Sequence, residues 1–191
     1  MEQHTSSRFY GSGVVAGTLL CLFLFATLHV LRPDCNPLRK LMSEYLIGPF
    51  SFLGIAAVFI LAMTLLMLLV GLRFSVRPSG FLTASRVLLG IMVVLACVCA
   101  VFPLDVLPPD GRLPTFTRTA IIHIVSSALL YMSLLALLFT LPSAYKRDEK
   151  WQSFSHMTLV WGFLVLVSLV AFILAPFYLR GLAPMPFRNC S

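Results

Sequence analysis

Six ionisable side chains that could do chemistry lie at or beside the ends of the apolar segments of this chain. They are two imidazoles, two carboxylates and two guanidinium groups: His29, Arg32, Asp34, Asp105, Arg118 and His123. The imidazoles and carboxylates, His29, Asp34, Asp105 and His123, could bind a zinc ion that activates water to hydrolyse a lipid ester or amide. No two of them form a spaced metal motif such as a helical pair of histidines. These residues are therefore candidate ligands, and their geometry has to come from the fold.

The same side chains have a structural interpretation, which we favour. Asp34 and Asp105 each follow a proline and can accept hydrogen bonds from turn amides, or pair with Arg32 and Arg118 respectively. An imidazole near the membrane interface keeps an apolar body in lipid and a polar edge in water. A rim that binds a lipid or a small molecule is a third interpretation. Two histidines can also ligate a haem, but span one has few small residues near His29 to make room for it.

Composition places these residues in a membrane protein. Of 191 residues, 59% are hydrophobic and 11% are charged, whereas soluble domains carry about 25% charged residues. The net charge of +7 comes from basic residues in short loops between apolar runs, where they contact anionic lipid headgroups. No basic helix or aromatic platform suggests a nucleic-acid partner.

Five apolar runs predict an all-α, polytopic transmembrane helical bundle with five spans in a single membrane domain, 1–191. The predicted spans are about 14–31, 46–72, 82–102, 119–141 and 156–176. Each run is long enough to cross the hydrocarbon core and too continuously apolar for a membrane β-strand. We expect Gly13 and Gly17 to permit close helix packing, and a short interfacial helix within 34–45.

Five spans bring the ends of spans one and three and the starts of spans two and four to one face. Lys and Arg divide equally between the two faces, with seven on each. Compact basic clusters beside helix ends on the opposite face, and four acidic residues (Asp34, Glu44, Asp105, Asp110) on this one, predict a cytoplasmic N-terminus. The face with the candidate residues, and the C-terminus, then lie outside. Cys35 and Cys190 could pair if both face an oxidising compartment.

Four short motifs occur in a fixed order along the chain. Arg32-Pro33-Asp34-Cys35-Asn36-Pro37-Leu38 follows the first span, Ser43-Glu44-Tyr45 leads into the second, Phe102-Pro103-Leu104-Asp105 closes the third, and His123 lies early in the fourth. In this order the chain resembles the bacterial membrane family catalogued as domain of unknown function 998. The resemblance implies a bacterial inner-membrane location and no particular activity. Members usually have six spans, and this chain departs from that pattern after 180–183, where the usual loop and sixth helix are expected to be lacking. Either the last helix is absent or a partner supplies that surface.

The function we expect is that of a non-catalytic integral membrane protein, an accessory or interaction subunit that packs against other membrane proteins and lipids. The interiors of the predicted spans lack the buried titrating relay that a proton-coupled transporter needs, and the chain has little mass outside the membrane. No cofactor is expected. The alternative is a lipid-binding or metal-dependent lipid-hydrolysing enzyme that uses the six candidate residues, with zinc as its metal.

Overall fold

The computed structural model describes residues 2–33, 35, 42–105 and 116–182, with the side chains of 7–33, 35, 42–105 and 116–171. It has five α-helices: α1 Glu2–Leu31, α2 Ser51–Ser75, α3 Gly80–Val101, α4 Arg118–Tyr145 and α5 Gln152–Leu182. A short 3-10 helix, Met42–Leu46, precedes α2. Each α-helix contains a stretch long and apolar enough to cross a membrane. The predicted five-span, all-α bundle is therefore confirmed.

The helices pack in chain order and form an open row. Helix α1 packs on α2, α2 on α3, α3 on α4, and α4 on α5, while other pairs of α-helices within the described ranges touch marginally at most. A third of the apolar window of α3 (33%) is buried, against 11% in α1 and in α5. The centre of the row therefore supplies the core, and α1 and α5 are its edges.

The largest buried cluster lies at the end of the row where α2 and α4 end. Leu72 of α2, Leu89 and Met92 of α3, and Leu137 and Leu141 of α4 meet there. A smaller cluster of Leu28, Cys35 and Tyr45 lies at the opposite end, with Phe25 and Leu53 packed against it. Apolar contacts therefore fix both ends of the row.

Helix α2 begins at Ser51, later than the apolar run predicts. Gly48 (φ 76°) and Phe50 (φ 59°) have left-handed backbones that interrupt a right-handed helix. Residues 42–46 form the 3-10 helix, so part of the interval 34–45 is helical as expected, while 36–41 lie outside the described residues.

Pro142 does not close the fourth span, contrary to the sequence-based boundary. It lies inside the last turn of α4, which continues to Tyr145. Its carbonyl oxygen accepts a hydrogen bond from the Ser155 hydroxyl of α5 (3.1 Å). Gly162 of α5 lies against Leu138, where a Cβ would come within 3.4 Å of the carbonyl oxygen. Because proline lacks the N–H that normally bonds this i−4 carbonyl, α5 packs closely where the helix ladder is incomplete.

Candidate functional site

The predicted cluster lies on one side of the row, where α1 and α3 end and α2 and α4 begin. We call this side the rim and describe it by residues 28–33, 35, 42–54, 99–105 and 116–131. Asp34, Asp110 and Cys190 lie outside the described residues, so no geometry is assigned to them.

Arg32 braces the segment that enters α2. Its side chain is 1% exposed. Nη1 donates hydrogen bonds to the carbonyl oxygens of Ile47 (2.6 Å) and Pro49 (3.4 Å). The guanidinium group therefore stabilises the left-handed turn around Gly48, and the side chain is buried in the fold where a substrate could not reach it.

His29 packs against the 3-10 helix. Its Nδ1 lies 2.7 Å from the carbonyl oxygen of Phe25 one helical turn earlier. Its ring stacks on Tyr45, with centroids 5.0 Å apart. Tyr45 is fully buried, and its hydroxyl donates to the carbonyl oxygen of Cys35 (2.9 Å). His29 therefore belongs to the contact between α1 and the segment that leads into α2.

Cysteine chemistry differs between the rim and the spans. Cys35 is disulfide-bonded. Cys21, Cys97 and Cys99, which lie in α1 and α3, are free. The rim therefore carries a cross-link, while the described thiols of the helices behave as small apolar side chains.

Asp105 fixes the start of α4. Its two carboxylate oxygens accept from the backbone N–H and the hydroxyl of Thr117, each at 2.7 Å. The Thr117 hydroxyl oxygen also accepts from the Ala120 N–H (3.3 Å), as an N-cap does. Arg118 beside it is exposed. The carboxylate thus joins the end of α3 to the N-terminus of α4.

His123 of α4 forms hydrogen bonds with the carbonyl oxygens at the end of α3. The ring is 3% exposed. Its Nδ1 lies 2.6 Å from the carbonyl oxygen of Phe102 and 3.1 Å from that of Cys99. The last carbonyls of a helix have no partner within it, so this imidazole supplies the hydrogen bond that the end of α3 lacks.

A cavity of about 240 Å³ lies beside His123. Its walls come from the 3-10 helix, the segment after α3 and one face of α4: Met42, Ser43, Leu104, His123, Ile124, Ser127, Ala128 and Tyr131. The Ser127 hydroxyl lies 3.3 Å from the sulfur of Cys99. The cavity is thus mostly apolar with a few polar groups, as small-molecule sites commonly are.

The described residues contain no group of three or more His, Cys, Asp or Glu side chains that could hold a metal ion. His29 contacts α1 and the 3-10 helix, whereas His123 contacts the end of α3. Asp105 is held by Thr117. The zinc site built from these residues and Asp34 stays a prediction.

Gly13 and Gly17 lie on the face of α1 that packs against α2. A Cβ on Gly13 would lie 2.5 Å from the sulfur of Met67, and one on Gly17 would clash with the Thr64 hydroxyl. The absence of side chains at these positions allows α1 and α2 to approach closely.

Sequence reasoning missed a polar cluster at the end of the row opposite the rim. Asp148, 6% exposed, accepts from the backbone N–H of Arg77 (2.9 Å) and of Lys150 (3.0 Å). The indole of Trp151 donates to the Ser75 carbonyl oxygen (2.8 Å). The sequence signal was weak: an acidic residue beside a tryptophan within a basic loop.

Fold and rim together define a polytopic integral membrane protein whose apolar helices contact lipid and whose polar side chains lie near the helix ends. Residues 15–185 match the family described as Protein of unknown function (DUF998). The chain therefore belongs to the DUF998 family, as its ordered motifs indicated. No curated protein and no solved structure matches it.

Proposed function

We propose that this protein is a non-catalytic membrane protein, an accessory or interaction subunit that packs against other integral membrane proteins. One observation carries the proposal: α1 and α5 are the open edges of the row. Among the α-helices that the structure describes, each packs on a single neighbour apart from marginal contacts, and only 11% of its apolar window is buried. Either edge could extend the row with a helix of another protein.

The edge formed by α5 is the better candidate because of Trp161. This side chain is 58% exposed and lies about 14 Å along α5 from its start at Gln152, at 1.5 Å per residue. Its indole N–H has no hydrogen-bond acceptor within the part of the chain that the structure describes. An unpaired polar group in hydrocarbon is costly, and buried Trp N–H groups usually have a partner. A neighbouring protein helix could supply the acceptor.

The rim supports a structural role more than a catalytic one. Arg32, His29 and Asp105 each bond to a backbone group of a neighbouring segment or of their own helix. Groups held in this way join helix ends where the bilayer meets water, and they have less freedom to bind a substrate or transfer a proton.

The test is the mass of the intact particle after extraction from its native membrane in a mild detergent. We expect a larger assembly of fixed stoichiometry. Trp161→Phe keeps an aromatic ring and removes the N–H, so it should weaken the assembly. Phe59→Leu, on the exposed face of α2, which is not an edge of the row (41% exposed), is the control. A particle containing this chain alone would contradict the proposal.

A lipid-binding protein is the second candidate, favoured by the cavity beside His123. The cavity lies at the rim, where headgroups and acyl chains meet, and two of its lining side chains, Ile124 and Tyr131, are more than 40% exposed. A lipid could therefore enter it from the side of α4. The hydrolytic form of this candidate needs a metal group for which the described residues give no support.

We propose a bacterial plasma membrane as the location, with the start of α1 on the cytoplasmic side and the rim outside. The disulfide at Cys35 supports this orientation, because disulfides form and persist in oxidising compartments. This support from the disulfide does not depend on the number of Lys and Arg residues, which is equal on the two faces.

A further inference from the structure

The two ring nitrogens of His123 have different surroundings. Nδ1 faces the carbonyl oxygens of Cys99 and Phe102, whereas Nε2 has no hydrogen bond to any described residue. In the described part of the chain, the one fully enclosed side-chain nitrogen or oxygen without a partner is Nε of Arg86. Nε2 of His123 is therefore accessible, and His123 lines the cavity. Because Nε2 is neither hydrogen-bonded nor fully enclosed in this 97% buried ring, we infer that it faces the cavity.

The hydrogen bonds of Nδ1 determine what Nε2 can do. Both neighbours of Nδ1 are carbonyl oxygens, which can only accept, so Nδ1 carries the proton. In a neutral imidazole with Nδ1 protonated, Nε2 is an acceptor. A ligand in the cavity must therefore present a donor, such as a hydroxyl group. An ester carbonyl, which only accepts, would leave Nε2 unpaired.

The described walls of the cavity are uncharged. Among the lining residues that the structure describes there is no Lys or Arg to neutralise a phosphate. Leu104, Ile124 and Ala128 supply apolar surface, while Ser43 and Ser127 add neutral hydroxyls. A neutral ligand fits this composition, because burying a charge without a partner is costly.

The size of the cavity indicates that it holds one end of a longer molecule. Its 240 Å³ is below the roughly 300–1,000 Å³ of pockets for drug-sized ligands. Ile124 is 41% exposed and Tyr131 47% exposed, so its wall continues onto the lipid-facing side of α4. The apolar remainder of the ligand can therefore lie along that face.

The depth of His123 in the membrane also favours a ligand with a polar end and an apolar chain. His123 is the sixth residue of α4 and lies about 8 Å from its start, at 1.5 Å per residue. The interfacial layer outside the hydrocarbon core is roughly 5–7 Å thick. With the start of α4 placed at the water-facing surface of that layer, His123 lies near the level at which acyl chains join their polar head.

We propose that the cavity binds a neutral lipid alcohol of the diacylglycerol type, whose free hydroxyl donates a hydrogen bond to Nε2 of His123. The inference rests on the lipid-binding candidate above and adds the class of lipid and the contacting atom. No bond is made or broken, so His123 acts here as a binding residue.

The test compares two lipids on the full chain purified in detergent, with bound lipid counted by native mass spectrometry. One is dioleoylglycerol, and the other is the same lipid with its hydroxyl acetylated. Loss of one neutral hydrogen bond to a buried acceptor predicts about tenfold weaker binding of the acetylated lipid. Equal binding of the two lipids would overturn the inference.

Two variants extend the test. His123→Asn keeps a side-chain N–H for the carbonyls of Cys99 and Phe102 but removes the Nε2 acceptor, so binding of dioleoylglycerol should fall about tenfold. Ala128→Leu fills the cavity without altering His123 and should reduce binding of both lipids. If His123→Asn does not fold, Ala128→Leu and the acetylated lipid still decide the matter. Wild-type affinity in both variants would overturn the inference.

The outcomes separate this inference from the candidate on which it rests. Equal binding of both lipids, reduced by Ala128→Leu, would leave a lipid-binding protein without hydroxyl recognition. Binding of neither lipid above a phosphatidylcholine control would remove both. Selective binding of dioleoylglycerol that depends on His123 supports both.

Discussion

The carboxylate of Asp148, in the loop between α4 and α5, accepts a hydrogen bond from the backbone N–H of Arg77, 71 residues earlier (2.9 Å). Next to it, the indole of Trp151 donates to the carbonyl oxygen of Ser75 at the end of α2 (2.8 Å). These two bonds join the end of α2 to the start of α5, although α2 and α5 share at most marginal direct packing. Polar contacts therefore hold the row together at the end opposite the rim.

Asp148→Ala should destabilise the protein. The substitution removes the part-buried hydrogen bond from the Arg77 N–H to the carboxylate, and a hydrogen bond to a charged group typically contributes about 1.5–3 kcal/mol. Glu149→Ala is the matched control, because this neighbour is exposed and loses the same charge. Thermal unfolding in detergent can be followed by the reactivity of the buried thiols Cys21 and Cys99. Equal shifts in the two variants would show that charge, and not the bond to Arg77, matters.

Gly54→Ala should also destabilise the fold. A Cβ at Gly54 would lie 2.7 Å from the carbonyl oxygen of Tyr45. Both atoms belong to the backbone or are fixed to it, so relieving this contact requires α2 and the 3-10 helix to move apart. Gly11→Ala is the control, because no atom lies within 4 Å of its added Cβ and alanine favours a helix by up to about 1 kcal/mol over glycine. The melting temperature should fall for Gly54→Ala and hold or rise for Gly11→Ala. A Gly54→Ala protein as stable as wild type would contradict the close contact between α2 and the 3-10 helix.

Arg32→Ala should loosen the entry to α2. It removes the hydrogen bonds to the carbonyl oxygens of Ile47 and Pro49, a loss of about 1–3 kcal/mol for buried groups. Arg118→Ala, at an exposed position, should change the melting temperature little. Limited proteolysis between 42 and 50 gives a local readout, with faster cleavage expected for Arg32→Ala alone. Resistance equal to that of wild type would argue against the bracing role.

Hydropathy was sufficient to predict the number and type of spans, because lipid requires every spanning segment to satisfy its own backbone hydrogen bonds. Helix boundaries were less predictable. Pro142 lies inside α4, since a proline in the last turn interrupts one bond and α5 packs closely over the gap. Residues before the first apolar run also belong to α1, where Tyr10 stacks on Phe74 of α2 (5.8 Å).

The rim was predictable as a location and not as a set of contacts. Alternation of spans places His29, Asp105 and His123 on one side of the membrane. Their actual partners are backbone groups and ring faces of other segments, such as the carbonyl oxygen of Phe102 for His123 and the ring of Tyr45 for His29. Such partners leave no trace in residue type or spacing, so the sequence left the favoured structural rim and a metal site as alternatives, and the zinc site stays a prediction.

The disulfide at Cys35 gives a prediction about orientation. If the rim faces outward, a membrane-impermeant maleimide should label the protein in intact spheroplasts only after treatment with an impermeant reductant. Cys35→Ala should be labelled without reduction, because the thiol that pairs with Cys35 is then free; the sequence-based prediction for that thiol is Cys190. Cys97→Ala is the control and should behave as wild type. Labelling that requires a permeabilised membrane would place the rim in the cytoplasm and reverse the proposed orientation.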